Sequence, residues 1–288
     1  MKKILVILLS LSLLLSFSAC SGTEDSETTN DTTPPESQTE TESQTETESE
    51  TESESETEAE TEPAAAAGDP TVKSEGVMTY AEYAAAELDT QVVVETYVQA
   101  KQSWWEDKAT VYTQDMDGGY FLYNMACSEE DYAKLTPGTK IKVTGYKAEW
   151  SGEVEIIDAT FEIEEGSYVA PALDVTALLG TDDLALHQNQ FVSFKDMTVE
   201  AAGQDESGND VAFLYNWDGS GEEGSDLYFN VSANGTTYTF TVESYLCGAD
   251  TDVYQAVKAL EIGQTVDMEG FLYWYNGANP HITSVVVK

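Results

Sequence analysis

LTPGTKIKVTGYKAEWSG at residues 135–152 and LEIGQTVDMEGFLYWYNG at residues 260–277 are one pattern written twice. With an offset of 125 residues, Leu135 falls on Leu260, Gly138 on Gly263, Ile141 on Val266, Val143 on Met268, Gly145 on Gly270 and Gly152 on Gly277. In each copy the three glycines stand seven residues apart. In the first copy apolar and polar residues alternate between them, as in a half-buried strand. A helical stretch precedes each copy. SEEDYAKL (128–135) opens with a capping Ser and acids in its first turn, and DVYQAVKAL (252–260) has the same character. The repeat predicts two units of one build.

Working outward, the first unit has a helical stretch at Met78–Leu88 and a Val-rich strand at Gln91–Gln99. Strands at Ala109–Gln114 and Gly119–Asn124 flank the turn signal Asp117-Gly118, and Glu153–Glu164 supplies a last strand. In the second unit Gln190–Glu200 matches the first strand. Val211–Trp217 and Asp226–Val231 read as the next two, joined by an acidic Gly-rich loop, and Ile282–Val287 closes the set. Five strands with a helix between the third and fourth is the order of an OB-fold barrel. Tyr112-Thr113-Gln114-Asp115 followed by Gly118-Gly119-Tyr120-Phe121 resembles bacterial surface domains of the OB family. The expected fold class is all-β with short helices: two tandem OB-fold-like five-stranded barrels, at 69–169 and 170–288, after a disordered acidic stalk.

The N-terminus carries an address. Lys2 and Lys3 precede an apolar run from Ile4 to Phe17, broken only by serines. This is the layout of an export signal, and the run is short of the roughly 20 residues that span a bilayer. Phe17-Ser18-Ala19-Cys20 resembles the lipobox of bacterial lipoproteins, with Phe17 where Leu is usual. The resemblance implies a signal peptide at 1–19, a lipid on Cys20 and attachment to the extracellular face of the cell membrane. Two acyl chains suffice for stable anchoring. Residues 21–68 contain no Leu, Ile, Val, Met or aromatic residue, and Thr39–Glu62 is largely Glu alternating with Thr or Ser. Such a segment cannot bury enough apolar surface to offset its conformational entropy, so residues 20–68 read as a lipidated stalk.

Charge narrows the partners. Lys and Arg total 12, all of them Lys, against 54 acids, for a net charge of −42. Beyond residue 68 there remain 38 acids and 10 Lys, a net of −28. Proteins that track phosphates neutralise them with Lys and Arg, so the balance argues against nucleic acid and favours a glycan or a protein as ligand. Two His and three Cys leave little for a His- or Cys-built metal centre, and no cofactor is implied. Acidic turns such as Asp115-Met116-Asp117-Gly118 and Asp205–Asp210 could lend oxygens to calcium, but none has the full EF-hand spacing. Cys127 and Cys247, at equivalent places in separate barrels, read as two buried thiols.

Binding on an OB barrel uses the face of strands 2 and 3 with the 1–2 and 4–5 loops. The first unit places Trp104 and Trp105 in the 1–2 loop, and Tyr146 and Trp150 on the 4–5 hairpin. The second places Tyr273, Trp274, Tyr275 and Asn276 on the matching hairpin. Large rigid aromatic faces with polar edges suit recognition. Trp104, Trp105 and Trp150 are expected at one mouth of the first barrel, with Trp274 and Tyr275 at the matching place in the second. No nucleophile motif accompanies His187 or His281, and Glu153 and Glu155 alternate as on a solvated strand face. No catalytic residue is assigned. The function expected is a membrane-anchored, non-catalytic binding lipoprotein. The alternatives are a single-stranded nucleic-acid binder and a structural or assembly component of the cell envelope. Cys20→Ala should abolish lipid labelling and release the chain from membranes. A variant that still fractionates with membranes through its N-terminus would remove the lipoprotein reading.

Overall fold

The structure, a computed structural model, describes residues 73–288. The export segment, Cys20 and the acidic tract lie outside the described residues. Among these, no helix is long and apolar enough to cross a membrane.

Five strands make the first barrel: β1 (Gln91–Lys101), β2 (Lys108–Gln114), β3 (Gly119–Ala126), β4 (Thr139–Trp150) and β5 (Glu153–Ser167). They close in the order β1-β2-β3-β5-β4, with β1 and β4 antiparallel and β3 and β5 parallel at Phe121 opposite Glu155. Two short helices accompany them. Helix α1 (Tyr80–Ala85) is shorter than its sequence suggests and starts at a capping box formed by Thr79 and Glu82. Helix α2 (Glu129–Lys134) joins β3 to β4, with Ser128 accepting from the Asp131 amide. Val92, Val94, Val98, Val111, Leu122, Ile141, Val143 and Ile156 fill the barrel. The 115–118 turn is built on the Asp115 carboxylate. Its Oδ1 accepts from the Asp117 and Gly118 amides at 2.8 and 2.9 Å, and its Oδ2 from Lys73 and Tyr120.

The second unit begins with β6 (Leu173–Asp174), laid parallel on β7 (Phe191–Glu200). A small hairpin of β8 (Gly203–Gln204) and β9 (Asp210–Val211) follows, then β10 (Phe213–Tyr215). The ring strands are β7, β11 (Leu227–Ala233), β12 (Thr236–Val242), β13 (Thr265–Phe271) and β14 (His281–Val287). Helix α3 (Asp252–Lys258) lies between β12 and β13, where α2 lies in the first barrel. The ring closes β7-β11-β12-β14-β13, the same order as before. It differs from the sequence reading at its second and third strands. Those are β11 and β12, joined at Asn234-Gly235, whose φ values of 52° and 80° are those of a type I′ hairpin turn. Val211–Trp217 is not a ring strand. Its β10 part borders the first half of β11, while β7 borders the second half.

The repeated glycines do equivalent work in both barrels. Gly138 and Gly263 turn the chain into β4 and β13 with φ near +90°. Gly145 and Gly270 sit at bulges where the neighbouring strand passes too close for a Cβ: one on Gly270 would lie 2.2 Å from the His281 carbonyl oxygen.

The barrels meet through a core of their own. Tyr112, Phe121 and Phe271 are buried together, with the rings of Tyr112 and Phe271 stacked at 4.4 Å. The Phe191 amide donates to Gln114 Oε1 at 2.7 Å, and Asn189 Nδ2 donates to the Val154 carbonyl at 2.9 Å. The 4–5 hairpins touch tip to tip: the Asn276 amide donates to the Ser151 carbonyl at 2.7 Å, and a Cβ on Gly152 would come within 2.8 Å of the Trp274 ring. The chain between barrels is pinned as well, the Ala170 amide donating to Gln99 Oε1. Both barrels belong to one compact unit.

Glu153 and Glu155 lie in this contact, not on a solvated face, because the second barrel covers the end of the first. Glu153 has no exposed surface. Its Oε2 accepts from the Trp274 amide at 2.8 Å, and burial pushes its pKa up to about 9. Its Oε1 accepts from no donor among the described residues, which leaves that oxygen free to carry a proton. The folded carboxyl holds that proton up to about pH 9, whereas an unfolded one releases it near 4.5. Stability from this group is therefore complete below about pH 4.5 and is lost as pH rises toward 9. Glu243 and Glu155 carry shifts of the same sign. Glu153→Gln keeps the acceptor, supplies an N–H donor and cannot ionise. Its melting temperature should match the parent at acidic pH and exceed it by a widening margin up to about pH 9; parallel profiles would show that Glu153 does not titrate in this window.

Candidate functional site

Joining the barrels leaves a groove beside the contact. Its floor is His281, Tyr273 and Glu243, which two adjoining cavities of about 440 and 650 Å3 share. His281 is fixed from both sides. Its Nδ1 shares a 2.9 Å hydrogen bond with the Tyr112 hydroxyl, and its ring stacks on Tyr273 at 4.3 Å. Burial lowers its pKa to about 3, so the imidazole is neutral. The Glu243 carboxylate accepts from the Tyr245 and Leu246 amides at 3.0 and 2.9 Å, while burial lifts its pKa to about 7.

The walls are aromatic. Toward the first barrel's β2–β3 face stand Trp105, Tyr123 and Tyr245, with Lys108. At the other end stand Trp150, Trp217, Tyr228 and Tyr275, with Asp226. Among the described residues seven aromatic side chains are strongly exposed, and all but Tyr146 line these two cavities. Burial of apolar area in the core cannot explain so local a concentration, and exposed apolar patches mark interaction sites.

These rings are held in place. Trp105 lies on a tight turn closed by reciprocal backbone bonds with Lys108, its central residues Glu106 and Asp107 both at positive φ. Non-glycine residues in that region are strained, and such strain clusters at functional loops. Trp217 is 76% exposed but sits at the base of a pinned loop. The Asn216 amide donates to the Asp226 carbonyl. Tyr254 donates its hydroxyl to the Ser225 carbonyl and accepts from the Gly224 amide. Asp226 is itself held by the Ser244 amide and hydroxyl.

Of the residues singled out from sequence, Trp105, Trp150, Tyr273 and Tyr275 line the groove, and Asn276 borders a third cavity beyond it. The others lie elsewhere. Trp104 turns inward, its Nε1 donating to the Cys127 carbonyl at 2.9 Å. Trp274 packs on the second barrel's core and against Gly152. Tyr146 is exposed on β4 outside the cavities. The tryptophans thus do not gather at one mouth. Trp105 and Trp150 stand at opposite ends of the groove. Trp150 meets Tyr275, its counterpart in the repeat, with ring centroids 5.2 Å apart. Tyr123, Trp217, Tyr228, Glu243, Tyr245 and His281 come to the site without a sequence signal. Cys127 and Cys247 are buried free thiols, each in its own barrel's core.

No family model matches the chain, and no curated protein matches it. Several solved structures are similar over about two thirds of it. A murine DNA-binding protein bound with double-stranded DNA is 12% identical, with 68% of this chain and 94% of that one covered at a TM-score of 0.32. The Ifi202 HINa domain in complex with 20-bp double-stranded DNA is 11% identical over 70% and 96%, at 0.30. The p204 HINb domain is 10% identical over 67% and 95%, at 0.31. These likenesses transfer no residue role to this chain. The expectation that nucleic acid is an unlikely partner does not stand beside these structures, two of which hold double-stranded DNA.

Trp274→Ala should lower stability by about 2 kcal/mol or more, as truncating a packed ring does. Trp217→Ala should stay within about 0.5 kcal/mol of the parent. Thermal melts of the two variants check this, and equal losses would show that the Trp217 ring is core.

Proposed function

We propose that the chain is a non-catalytic binding protein that takes a ligand with flat-faced units into the groove between its barrels, and that a lipid on Cys20 holds it at the outer face of a membrane. The observation that carries the binding reading is the gathering of six of the seven strongly exposed aromatic side chains among the described residues along one groove. Stacking on such rings is worth about 1–3 kcal/mol per unit, by the measure of bases on similar barrels. The groove supports binding more directly than turnover. His281 is a neutral ring stacked on Tyr273 and bonded at Nδ1 to Tyr112, and both Glu243 oxygens accept backbone amides, so neither stands as a free acid or base. The export signal and lipobox support the location. An acidic stalk between anchor and barrels would hold the groove away from the membrane, with a reach of at most about 3.3 Å per residue.

Sugar rings and nucleic-acid bases both offer the faces such a groove stacks. A single-stranded nucleic acid is the second reading, favoured by Lys108 beside Trp105 and Tyr123 on the β2–β3 face that OB barrels offer to oligonucleotides. Titrating the full chain with neutral glycans and with oligothymidylate, followed by tryptophan fluorescence, tests the groove. Trp105→Ala combined with Trp217→Ala should weaken whichever ligand binds by about tenfold or more while the melting temperature holds. A ligand bound equally well by the double variant would place the site elsewhere.

A further inference from the structure

The hollow does not end at Trp150 and Trp217. A third cavity, of about 550 Å3, lies on the second barrel's own β11–β12 face, under the Tyr275–Asn279 hairpin. It shares Trp217, Tyr228, Tyr275 and Asn279 with the second cavity, which shares Glu243, Tyr273 and His281 with the first. The three therefore form one track across both barrels. Each is within the roughly 300–1,000 Å3 that accommodates a small ligand. A single small molecule would fill one and leave the others open; a chain would fill them in turn.

The lining changes along the track. Lys108 stands at its start, and Asp226 and Glu243 lie in the middle. The third cavity has no charged residue in its lining. It offers the Asn276 side-chain amide, the Asn279 Nδ2 and the hydroxyls of Thr237 and Tyr238, while Asn230 is held by the Ala201 carbonyl and the Thr239 hydroxyl, and the Asn279 Oδ1 accepts from Thr241. Amides and hydroxyls each both donate and accept. Sugar hydroxyls do the same, so a face of this kind can match a pyranose edge without a charge on either side. The flat rings of Trp217 and Tyr275 at its border supply the apolar half of the same recognition.

Resting on the stacking groove proposed above, we infer that the ligand is a linear glycan without anionic groups, long enough to lie across all three cavities. Its rings stack in succession on Trp105, Trp217 and Tyr275, and its far end hydrogen-bonds to the amides of the third cavity.

The test is a length series. The full chain is titrated with neutral linear oligosaccharides from disaccharides to octasaccharides, in several linkage types, and with oligothymidylate as the competing polymer. Affinity should climb with length and level off once the track is filled. Trp217→Ala, at the junction of the second and third cavities, should weaken the longest bound oligosaccharide by about tenfold or more. Trp105→Ala, at the far end, should shorten the length at which affinity levels off. An affinity that does not grow beyond the disaccharide, or is indifferent to both changes, overturns the proposal. Binding of oligothymidylate alone, lost in the same variants, overturns the glycan but leaves the stacking groove standing. Binding of neither polymer overturns both.

Discussion

The stack of Tyr112 on Phe271 is the contact on which the functional surface depends. Each barrel has its own core, and each could be drawn without the other. The groove could not. Its floor residues Tyr273 and His281 come from the second barrel, and its Trp105 and Tyr123 from the first. Phe121 and Tyr112, on the first barrel's β2–β3 region, are buried by the second, so half of the face an OB barrel usually offers is spent on holding its neighbour. What is left of that face becomes one wall of a cleft. Separating the barrels would therefore dismantle the first cavity and take Trp150 from the second.

The contact also explains why ionisable groups are found where no solvent reaches. Glu153 and His281 are both buried, and burial drives each toward its neutral form: the carboxyl upward, the imidazole downward. Charge in such surroundings is costly, which favours the neutral form of each. Held neutral, both serve as hydrogen-bonding pieces between barrels. Glu153 accepts from the Trp274 amide, and His281 shares a hydrogen bond with the Tyr112 hydroxyl. The polar joints and the aromatic stack constrain the same two hairpins, which is what keeps Trp150 against Tyr275 at the rim.

Rings held on short, pinned loops lose little freedom when a ligand arrives, which raises the affinity that a given set of contacts can provide. In the binding role proposed, the strained Trp105 turn and the doubly bonded loop behind Trp217 would both serve this end. An acidic chain whose third cavity has no charged lining adds a further constraint. It keeps the protein soluble despite its exposed rings and leaves recognition to stacking and hydrogen bonds.

Much of the architecture was legible in the residues. The doubled glycine frame at 138, 145, 152 and 263, 270, 277 encodes two turns and one close approach per barrel. Glycine is nearly obligatory at such places, so the pattern survives as a readable repeat. The first barrel's strands followed from alternation and an Asp-Gly turn. The second barrel's Asn234-Gly235 hairpin was equally legible by turn chemistry, but the Gly-rich loop before it carries similar turn residues and drew the strand pairing one element too early. The site was legible only in part. That loop and hairpin tips would carry exposed aromatics could be read at Trp105, Trp150 and Tyr275. That Trp104 and Trp274 point inward, that Glu153 is buried, and that Trp217 and Tyr245 reach the same groove could not. Those facts depend on the angle at which two finished barrels meet. That angle is set by side chains more than a hundred residues apart, and no local period or turn signal records it.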